Sequence, residues 1–307
     1  MRVGLGKTDL QVHPLCLGGN VFGWSANAEQ SFEVLTAYES AGGNFIDTAD
    51  MYSRWHTGNV GGESETIIGD WMRSRGNRSE IVVATKVAKL GTRPGLSAAN
   101  IAAAAEDSLR RLGTDYIDIY YAHHDDESVP LEESLTAFDQ LVVAGKVRYL
   151  AASNYTAARL EEALKISREL GMSEYLLLQP NYNAIVRDEY EGALLATAVK
   201  ENIPVLPYFS LAAGFLTGKY QPGVIVDSVR ADDMPDYMTD RGWAILKVLT
   251  EIAEEENTSI ASVALGWLRA QPGVVTPIAS ARTPEQLAEI LPVVELSTDQ
   301  VARVNAL

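Results

Sequence analysis

The chain has 307 residues, of which 47% are hydrophobic and 21% are charged. This balance is typical of a compact globular protein and disfavours a collagen-like, coiled-coil or intrinsically disordered chain. Acidic residues outnumber basic residues by 41 to 25, and the resulting net charge of −16 repels nucleic acid and anionic membrane surfaces. We therefore expect neither of these as a partner.

Three features of the sequence predict a cytoplasmic location. The N-terminus has no apolar run of the kind that forms a secretory signal. No segment approaches the roughly 20 apolar residues of a membrane-spanning helix. The single cysteine, Cys16, cannot form an intrachain disulfide or a thiolate metal cluster. The expected partner is a small molecule, and the oligomeric state is left open.

Eight short apolar runs, each as long as a buried parallel strand, recur along the chain. They comprise residues 15–17, 44–46, 81–84, 117–121, 147–151, 175–178, 203–206 and 274–278. A polar opening with the turn residues Gly4, Gly6, Thr8 and Asp9 precedes them and predicts a hairpin.

Apolar residues recur at helical spacing between these runs, including over residues 189–200. Gly145 and Gly171 are predicted to end helices, and Thr258 is predicted to begin one. Residues 283–286 and 297–300 have the pattern of capping boxes, which predicts two more helices near the C-terminus. The long irregular segment 218–242 is predicted to form a loop over one end of the fold.

Eight strands that alternate with helices predict an α/β fold with a parallel sheet, here a single domain over residues 1–307. The count favours a (β/α)8 TIM barrel with an N-terminal hairpin and extra C-terminal helices. An open doubly wound sheet is the alternative. The first predicted strand is followed by Gly18, Gly19 and Gly23, but no G-x-G-x-x-G leads directly into a helix, which disfavours a Rossmann fold.

Four reactive side chains follow three successive predicted strands, at the end of the barrel where active sites form. Asp47 and Tyr52 follow the second strand, Lys86 follows the third and His123 follows the fourth. Such a group suits carbonyl reduction, because the developing alkoxide needs a proton and a positive field. Tyr52 is the predicted proton donor, with its pKa lowered by Lys86. Asp47 would hold Lys86 in place and His123 would orient the carbonyl.

Each of these four residues, taken alone, is more often a rim ion pair or a solvated loop residue. Residues 123–127 also contain side chains of metal-ligand type. However, adjacent residues at a strand end point in different directions, and His13 and His56 show no ligand spacing. We predict no metal site.

Four segments resemble the signature segments of the aldo-keto reductase superfamily, in the family's order. They are NFIDTADMY (44–52), ATKV (84–87), DYIDIYYAH (115–123) and RYLAASN (148–154). The likeness extends from residues 4–8 to residues 284–287, which is essentially the whole chain. It implies an NADPH-dependent reductase of aldehydes or ketones that works in reverse as an alcohol dehydrogenase when the cofactor ratio favours it. Asp47, Tyr52, Lys86 and His123 would be the catalytic tetrad, with Tyr52 as proton donor.

The same resemblance implies where the cofactor binds. Ser153, Asn154 and Gln179 would supply the donors and acceptors that a nicotinamide carboxamide needs, and Tyr208 would stack on the ring. Residues 208–219 resemble the family segment that wraps the pyrophosphate. The further contacts predicted in this segment come from Phe209, Ser210, Leu211, Gly214, Leu216 and Lys219.

The choice between NADP and NAD is predicted to depend on the last strand–helix junction, at Ser280, Arg282 and Gln286. Ser280 stands where the family often has Lys, Gln286 where it often has Arg, and Ile290 where it often has Asn. We expect NADP, because Arg282 keeps a cation beside backbone N–H groups at the start of the helix capped by Thr283. Use of NAD is the alternative.

Two other classes of function compete with this prediction. One is a nicotinamide-binding regulatory subunit similar to the β subunits of voltage-gated potassium channels. The complete tetrad does not discriminate against it, but the lack of an extension before Met1 favours a free enzyme. The other is a metal-dependent barrel hydrolase or isomerase, which would require a bound metal.

Loops after the strands are expected to shape the substrate pocket, and two tryptophans there suggest stacking on a sugar or an aromatic carbonyl. The predicted lining residues are Asn20, Val21, Trp24, Met51, Trp55 and His56.

Overall fold

The structure, a computed structural model, describes residues 2–221, 223–224, 226 and 229–307. At the start of the chain, β1 (Val3–Gly4) and β2 (Gln11–Val12) pair antiparallel, which confirms the predicted hairpin. Leu5, Leu10 and Val12 pack with residues from the inside of the main sheet. The hairpin therefore covers one end of that sheet.

The main sheet is parallel, and each of its strands from β3 to β8 pairs with the next along the chain. The strands are β3 (Cys16–Gly18), β4 (Phe45–Asp47), β5 (Val82–Val87), β6 (Ile117–Ala122), β7 (Val147–Ser153), β8 (Tyr175–Gln179) and β9 (Ile278–Ala279). β9 pairs back with β3, and bridges from Val205 to Leu178 and to Val274 join β8 to the last segment. The sheet thus closes into the predicted (β/α)8 barrel rather than remaining open.

The seventh and eighth strands are shorter than the sequence predicts. Within residues 203–206 only Val205 forms bridges, because Pro204 and Pro207 lack the N–H groups that a ladder requires. Within residues 274–278 a bridge at Val274 is followed, after Pro277, by the two residues of β9. The other six predicted strands are present, with ends displaced by up to three residues.

Ten helices are described, most of them packed around the outside of the barrel. They are α1 (Ala28–Ser40), α2 (Glu63–Arg75), α3 (Ala98–Leu112), α4 (Leu131–Val143), α5 (Ala157–Leu170), α6 (Ala193–Glu201), α7 (Asp240–Glu255), α8 (Ile260–Arg269), α9 (Pro284–Ile290) and α10 (Thr298–Asn305). Gly171 ends α5 in a left-handed conformation, with φ of 67°, as its position predicts. None of the described helices is long and apolar enough to cross a membrane.

Several helix starts differ from the prediction. α6 begins at Ala193 rather than at residue 189, since Gly192 has a φ of 96° that is not helical. Ser259, not Thr258, caps α8 by accepting a hydrogen bond from Ser262 N.

Only one of the two predicted capping boxes is complete. Ser297 and Gln300 form it at the start of α10. At α9 the Thr283 hydroxyl caps Gln286 N, but the Gln286 side chain accepts a hydrogen bond from Arg282 N instead of Thr283 N. At the start of α9, the second hydrogen bond of the predicted box is therefore replaced by one to the N–H group of the preceding residue, Arg282.

The segment 218–242, predicted as one loop, contains the short 3-10 helix Ala231–Asp236 and ends where α7 begins at Asp240. Residues 222, 225, 227 and 228 of this prediction lie outside the described residues.

Apolar side chains form two layers. The inner layer fills the barrel and includes Cys16, Phe45 and Leu177. The outer layer lies between the strands and the helices and includes Trp71 and Trp267. Because the hairpin covers the N-terminal end of the barrel, the C-terminal ends of the strands form the open rim where a site can develop.

Candidate active site

The four predicted catalytic residues meet at this rim. Asp47 is the last residue of β4, Lys86 lies near the end of β5 and His123 directly follows β6. Tyr52 lies on the loop after β4. Parallel strands bring their C-terminal ends to one edge, so residues far apart in sequence become neighbours.

Hydrogen bonds join three of the four side chains. Lys86 Nζ donates to Asp47 Oδ2 at 2.6 Å and to Tyr52 Oη at 2.9 Å. The Tyr52 hydroxyl donates in turn to Asp47 Oδ2 at 3.1 Å, and Lys86 also donates to the carbonyl of Thr48 at 2.7 Å. The phenol oxygen is thus held between an ammonium and a carboxylate.

The pKa of Tyr52 is shifted in the opposite direction to the prediction, in which Lys86 lowers it. Burial and the adjacent Asp47 carboxylate hold the pKa of Tyr52 well above its ordinary value. Burial also lowers the pKa of Lys86, although the Asp47 carboxylate opposes this change. The prediction is wrong because it left out burial and the carboxylate that shares the same hydroxyl.

His123 lies beside Tyr52, with ring centroids 6.1 Å apart and the planes at 73°. Burial, with the charges of Lys86 and Lys89, holds the pKa of His123 well below its ordinary value. The imidazole is therefore neutral at physiological pH. Its Nδ1 is buried and has no hydrogen-bond partner among the described residues.

A second polar network extends from Asp47 towards the neighbouring strands. Gln179 Nε2 donates to Asp47 Oδ1 at 2.9 Å, and Ser153 Oγ donates to the Gln179 carbonyl at 2.8 Å. Asn154 Nδ2 donates to Ser153 Oγ, while its Oδ1 accepts from Tyr208 Oη at 2.7 Å. The residues predicted to bind the nicotinamide end of the cofactor are thus bonded to one another and to the Asp47 carboxylate.

A cavity of about 1050 Å³ opens over both networks. This volume is slightly above the range of roughly 300–1,000 Å³ that is usual for ligand sites. The predicted site residues in its lining are Asp47, Tyr52, His123, Ser153, Asn154, Gln179, Tyr208, Phe209, Ser210, Leu211, Gly214, Lys219, Ser280, Arg282 and Gln286. Lys86 is fully buried behind Asp47 and Tyr52.

Two predicted residues lie elsewhere. Leu216 is fully buried in the outer core because the chain turns it away from the cavity. His56 is exposed and is absent from the cavity lining, whereas Trp24, Met51 and Trp55 line it as predicted, together with Asn20 and Val21.

The backbone around the rim is strained. Six non-glycine residues on the loops after the strands have φ values between 48° and 117°, in the region that favours glycine. They are Ser53, Ala88, Asn154, Phe209, Ala212 and Ala213. Such conformations cost roughly 1–3 kcal/mol each and persist where the surrounding structure enforces them, most often at functional sites.

The segment 208–219 has the features of a phosphate-binding loop. Gly214 and Gly218 have φ values of 98° and 83°, and both line the cavity. A Cβ on Gly214 would lie 3.5 Å from Lys219 Nζ, so the ammonium stands directly beside the bare backbone. Close backbone approach together with a cation suits a pyrophosphate. The residues present therefore fit a dinucleotide cofactor.

At the far end of the cavity, fewer groups are available to a phosphate than predicted. The Arg282 and Gln286 N–H groups donate within the turn that begins α9, as described above. Ser280 Oγ donates to Asn20 Oδ1 at 2.5 Å. The Arg282 guanidinium is the cation that this junction contributes to the cavity.

The sequence analysis missed several lining residues. Lys89 lies two residues beyond β5, and Arg230 lies in the segment after Gly218. Lys89 could have been predicted as a lining residue from its position just past a strand end. Nothing in the composition of the long segment indicates that Arg230 lines the cavity.

A buried acidic network also lies near Tyr52. Asp50 is fully buried, and neither of its carboxylate oxygens has a hydrogen-bond partner among the described residues. Burial and the nearby Glu65 carboxylate raise its pKa to about 7. Glu65 accepts hydrogen bonds of 2.6 Å from Thr85 and from Arg111. The sequence places Asp50 just beyond the second strand, but its burial was not predicted because the groups around it come from distant parts of the chain.

Among the residues that the structure describes, no three His, Cys, Asp or Glu side chains are grouped closely enough to hold a metal ion. The His124 ring interacts with the carbonyl of Asp125, and the Asp125 carboxylate is bonded to Arg159 at 2.7 Å.

Comparison with known proteins identifies the family. The model of the Aldo/keto reductase family matches residues 14–307. The chain is 31% identical to an aryl-alcohol dehydrogenase [NADP(+)] of Phanerodontia chrysosporium, over 94% of this chain and 80% of that one. It is 32% identical to norsolorinic acid reductase B of Aspergillus parasiticus, over 97% and 80%. It is also 32% identical to a protein named "Probable voltage-gated potassium channel subunit beta" of Oryza sativa, over 97% and 93%.

The family model covers almost the whole chain, and it agrees with a closed parallel barrel that carries polar side chains at the C-terminal ends of its strands. The chain belongs to the aldo/keto reductase family, a family of oxidoreductases.

Proposed function

We propose that this protein is an NADPH-dependent reductase of aldehydes or ketones and that Asp47, Tyr52, Lys86 and His123 carry out its chemistry. The observation that carries the proposal is the position of the Tyr52 hydroxyl at the cavity, 2.9 Å from Lys86 Nζ and 3.1 Å from Asp47 Oδ2. A proton donor held in this way is what carbonyl reduction requires.

In this mechanism the nicotinamide cofactor, when bound, supplies the hydride that the carbonyl carbon accepts. Tyr52 gives its hydroxyl proton to the carbonyl oxygen, and the Lys86 ammonium stabilises the phenolate that remains. Because the pKa of Tyr52 is raised, the phenol keeps its proton at neutral pH until the substrate oxygen takes it. This protonation state favours reduction over alcohol oxidation near pH 7.

His123 and Asp47 have supporting roles in the proposal. A neutral imidazole donates a hydrogen bond to the carbonyl oxygen and so orients the substrate without adding a second acid. The Asp47 carboxylate fixes Lys86 and receives Gln179 on its other oxygen at 2.9 Å. It therefore links the proton donor to the network that is proposed to hold the carboxamide.

The cofactor contacts are proposed from the cavity lining. Ser153, Asn154 and Gln179 would hold the carboxamide, Tyr208 would stack on the ring and Lys219 would bind the pyrophosphate. NADP is the proposed form, supported by the Arg282 guanidinium and by the NADP(+) in the name of the Phanerodontia chrysosporium relative. The relatives' names also favour an aromatic carbonyl, in keeping with Trp24 and Trp55 in the lining.

We also propose that the whole chain is one domain that works in the cytoplasm. The N-terminal hairpin packs into the inner layer, and Val304 of α10 belongs to the outer layer of the same barrel. Cys16 is a buried free thiol, which suits a reducing compartment.

The test is a panel of aldehydes, ketones and keto-sugars, with NADPH consumption followed by absorbance. We expect turnover of at least one aromatic aldehyde by the wild type and none by Tyr52→Phe. Failure of the wild type on the whole panel, in a preparation that binds NADPH, would overturn the proposal.

A regulatory potassium-channel subunit is the second candidate, favoured by the Oryza sativa relative at 32% identity over 97% of this chain. Its test is affinity purification from membranes of the source cells. Capture of a channel complex, together with no turnover on the panel, would support this candidate against the enzyme.

A further inference from the structure

Lys89 lies in the wall of the cavity beside the catalytic group. It follows β5 by two residues, and its charge is one of those that lower the pKa of His123. Burial and the charge of Lys86 in turn lower the pKa of Lys89. Lys89, Tyr52 and His123 line one cavity, so a substrate bound at Tyr52 occupies the cavity whose wall carries Lys89.

The backbone that carries Lys89 is held in an unfavourable shape. Ala88 has a φ of 117°, which an L residue rarely adopts. The carbonyls of Ala88 and Lys89 accept hydrogen bonds from Gly95 N at 2.9 Å and from Arg54 Nη1 at 3.2 Å. A strained turn fixed on both sides indicates that the position of the Lys89 side chain is built into the loop.

The Lys89 ammonium has no acidic partner within the part of the chain that the structure describes, although it is partly buried. Two other cations near the cavity have acidic neighbours: Lys86 pairs with Asp47, and Arg230 lies 3.7 Å from Asp233. Lys219 and Arg282 also line the cavity, and the proposed function assigns them to the phosphates of the cofactor. Taking a cation partly out of water without a counter-ion is unfavourable, so an anion from outside the protein would bind there.

Aromatic rings line the same cavity as Lys89. The Trp24 and Trp55 rings lie 5.6 Å apart in an edge arrangement, and the Tyr52 and Trp55 rings lie 6.1 Å apart. Arg230 also lies near these rings, with its guanidinium 5.4 Å from the Trp24 ring centroid. Asp232 and Asp233 line the cavity beside it, and their carboxylates disfavour an anion at Arg230.

From this arrangement we infer that Lys89 binds a carboxylate of the substrate, so that the enzyme prefers aromatic aldehydes or ketones that carry an acidic group. The inference rests on the proposed function. Lys89 is then a specificity-determining residue: its ammonium forms a charge-assisted hydrogen bond with the substrate carboxylate, while Tyr52 faces the carbonyl.

The experiment compares 3- and 4-formylbenzoate with 3- and 4-formylbenzamide, which have nearly the same shape but no charge. We expect the wild type to favour one formylbenzoate over its amide about tenfold or more in kcat/KM, mainly through KM, and less so at high salt. In Lys89→Met this ratio should fall to about one. Lys165→Met, which removes an exposed lysine on α5, serves as the matched control and should keep the wild-type ratio.

The outcomes separate the inference from the proposed function. A wild type that shows no preference for either acid, or a Lys89→Met variant that loses both substrates in proportion, overturns the role of Lys89. If no aldehyde is reduced, the proposed function fails, and binding of benzoate measured by tryptophan fluorescence still decides the anion site. Binding that is weakened tenfold in Lys89→Met supports the site, and equal binding by both proteins overturns it.

Discussion

Lys86 donates a 2.6 Å hydrogen bond to Asp47 Oδ2, and neither side chain is more than 2% exposed. Removing one member of a buried ion pair leaves an uncompensated charge, which is more harmful than removing both. Tyr52 shares the same carboxylate oxygen but carries no charge of its own. Substitutions at these three positions should therefore separate chemistry from stability.

Tyr52→Phe should abolish turnover and leave NADPH affinity near that of the wild type, because the ring stays in place and only the proton donor is lost. Single-turnover rates and a fluorescence titration with NADPH measure the two effects. Tyr116→Phe, a tyrosine away from the cavity whose ring packs on Arg78, is the control and should remain active. Reduction within about tenfold of the wild-type rate in Tyr52→Phe would remove Tyr52 from its proposed role.

Lys86→Met should also lose turnover, and it should lower the free energy of unfolding by about 3–5 kcal/mol by leaving the Asp47 carboxylate buried without its cation. The double variant Asp47→Asn with Lys86→Met should recover part of that stability but no activity. Urea unfolding monitored by tryptophan fluorescence gives the free energy of unfolding of both variants. If the double variant is less stable than Lys86→Met, the pair does not interact as the structure indicates.

The meeting of Asp47, Tyr52, Lys86 and His123 was predictable from the sequence because strand ends in a parallel barrel share one rim. Asp47, Lys86 and His123 each stand at or beside a strand end, so the spacing of apolar runs alone brings them together. The direction of the Tyr52 pKa was not predictable. It depends on which oxygen of Asp47 faces the phenol and on how deeply the pair is buried, and neither is a local property of the sequence.

The differences in the fold have similar causes. Residues 203–206 have the composition of a strand, yet two prolines reduce it to bridges at Val205. Gln286 was expected to complete a capping box, but its side chain bonds one residue further back, to Arg282 N. The pairing of Glu65 with Arg111 joins residues 46 positions apart, and no periodic pattern reports such a contact.

Tyr208→Ala should weaken NADPH binding several-fold, because a stacked aromatic ring contributes about 0.5–1.5 kcal/mol beyond burial. Tyr208→Phe keeps the ring and removes only the 2.7 Å hydrogen bond to Asn154 Oδ1, so its affinity should stay within about twofold of the wild type. Fluorescence titration with NADPH measures the affinity of the wild type and of both variants. Equal losses in both variants would assign the effect to the hydrogen bond rather than to the ring.

Asp50 should make the protein less stable as the pH rises. Burial raises its pKa from 3.8 to about 7, so the folded state binds more protons than the unfolded state between these values. Its contribution to stability is complete below about pH 4 and is lost as the pH rises towards 7. The asparagine of Asp50→Asn cannot ionise, so the variant does not lose this stability as the pH rises. The variant should therefore exceed the wild type in free energy of unfolding by roughly 2–3 kcal/mol more at pH 8 than at pH 5.

Urea unfolding at the two pH values tests this expectation. Asp70→Asn, at an exposed position on α2, is the control and should show the same difference from the wild type at both. An Asp50→Asn variant whose gain does not change with pH would show that Asp50 is ionised alike in the folded and unfolded states.

Arg282 should determine the preference for NADP. The N–H groups of Arg282 and Gln286 are engaged within the turn at α9, and Ser280 is bonded to Asn20, so the guanidinium is the main group left for a 2′-phosphate. Arg282→Ala should lower kcat/KM with NADPH about tenfold or more and change the value with NADH little, because NADH has no 2′-phosphate. Arg282→Lys should retain part of the preference through its charge. Steady-state kinetics with both cofactors measures this, and a wild type that uses NADH as well as NADPH, with no change in Arg282→Ala, would show that Arg282 does not bind the phosphate.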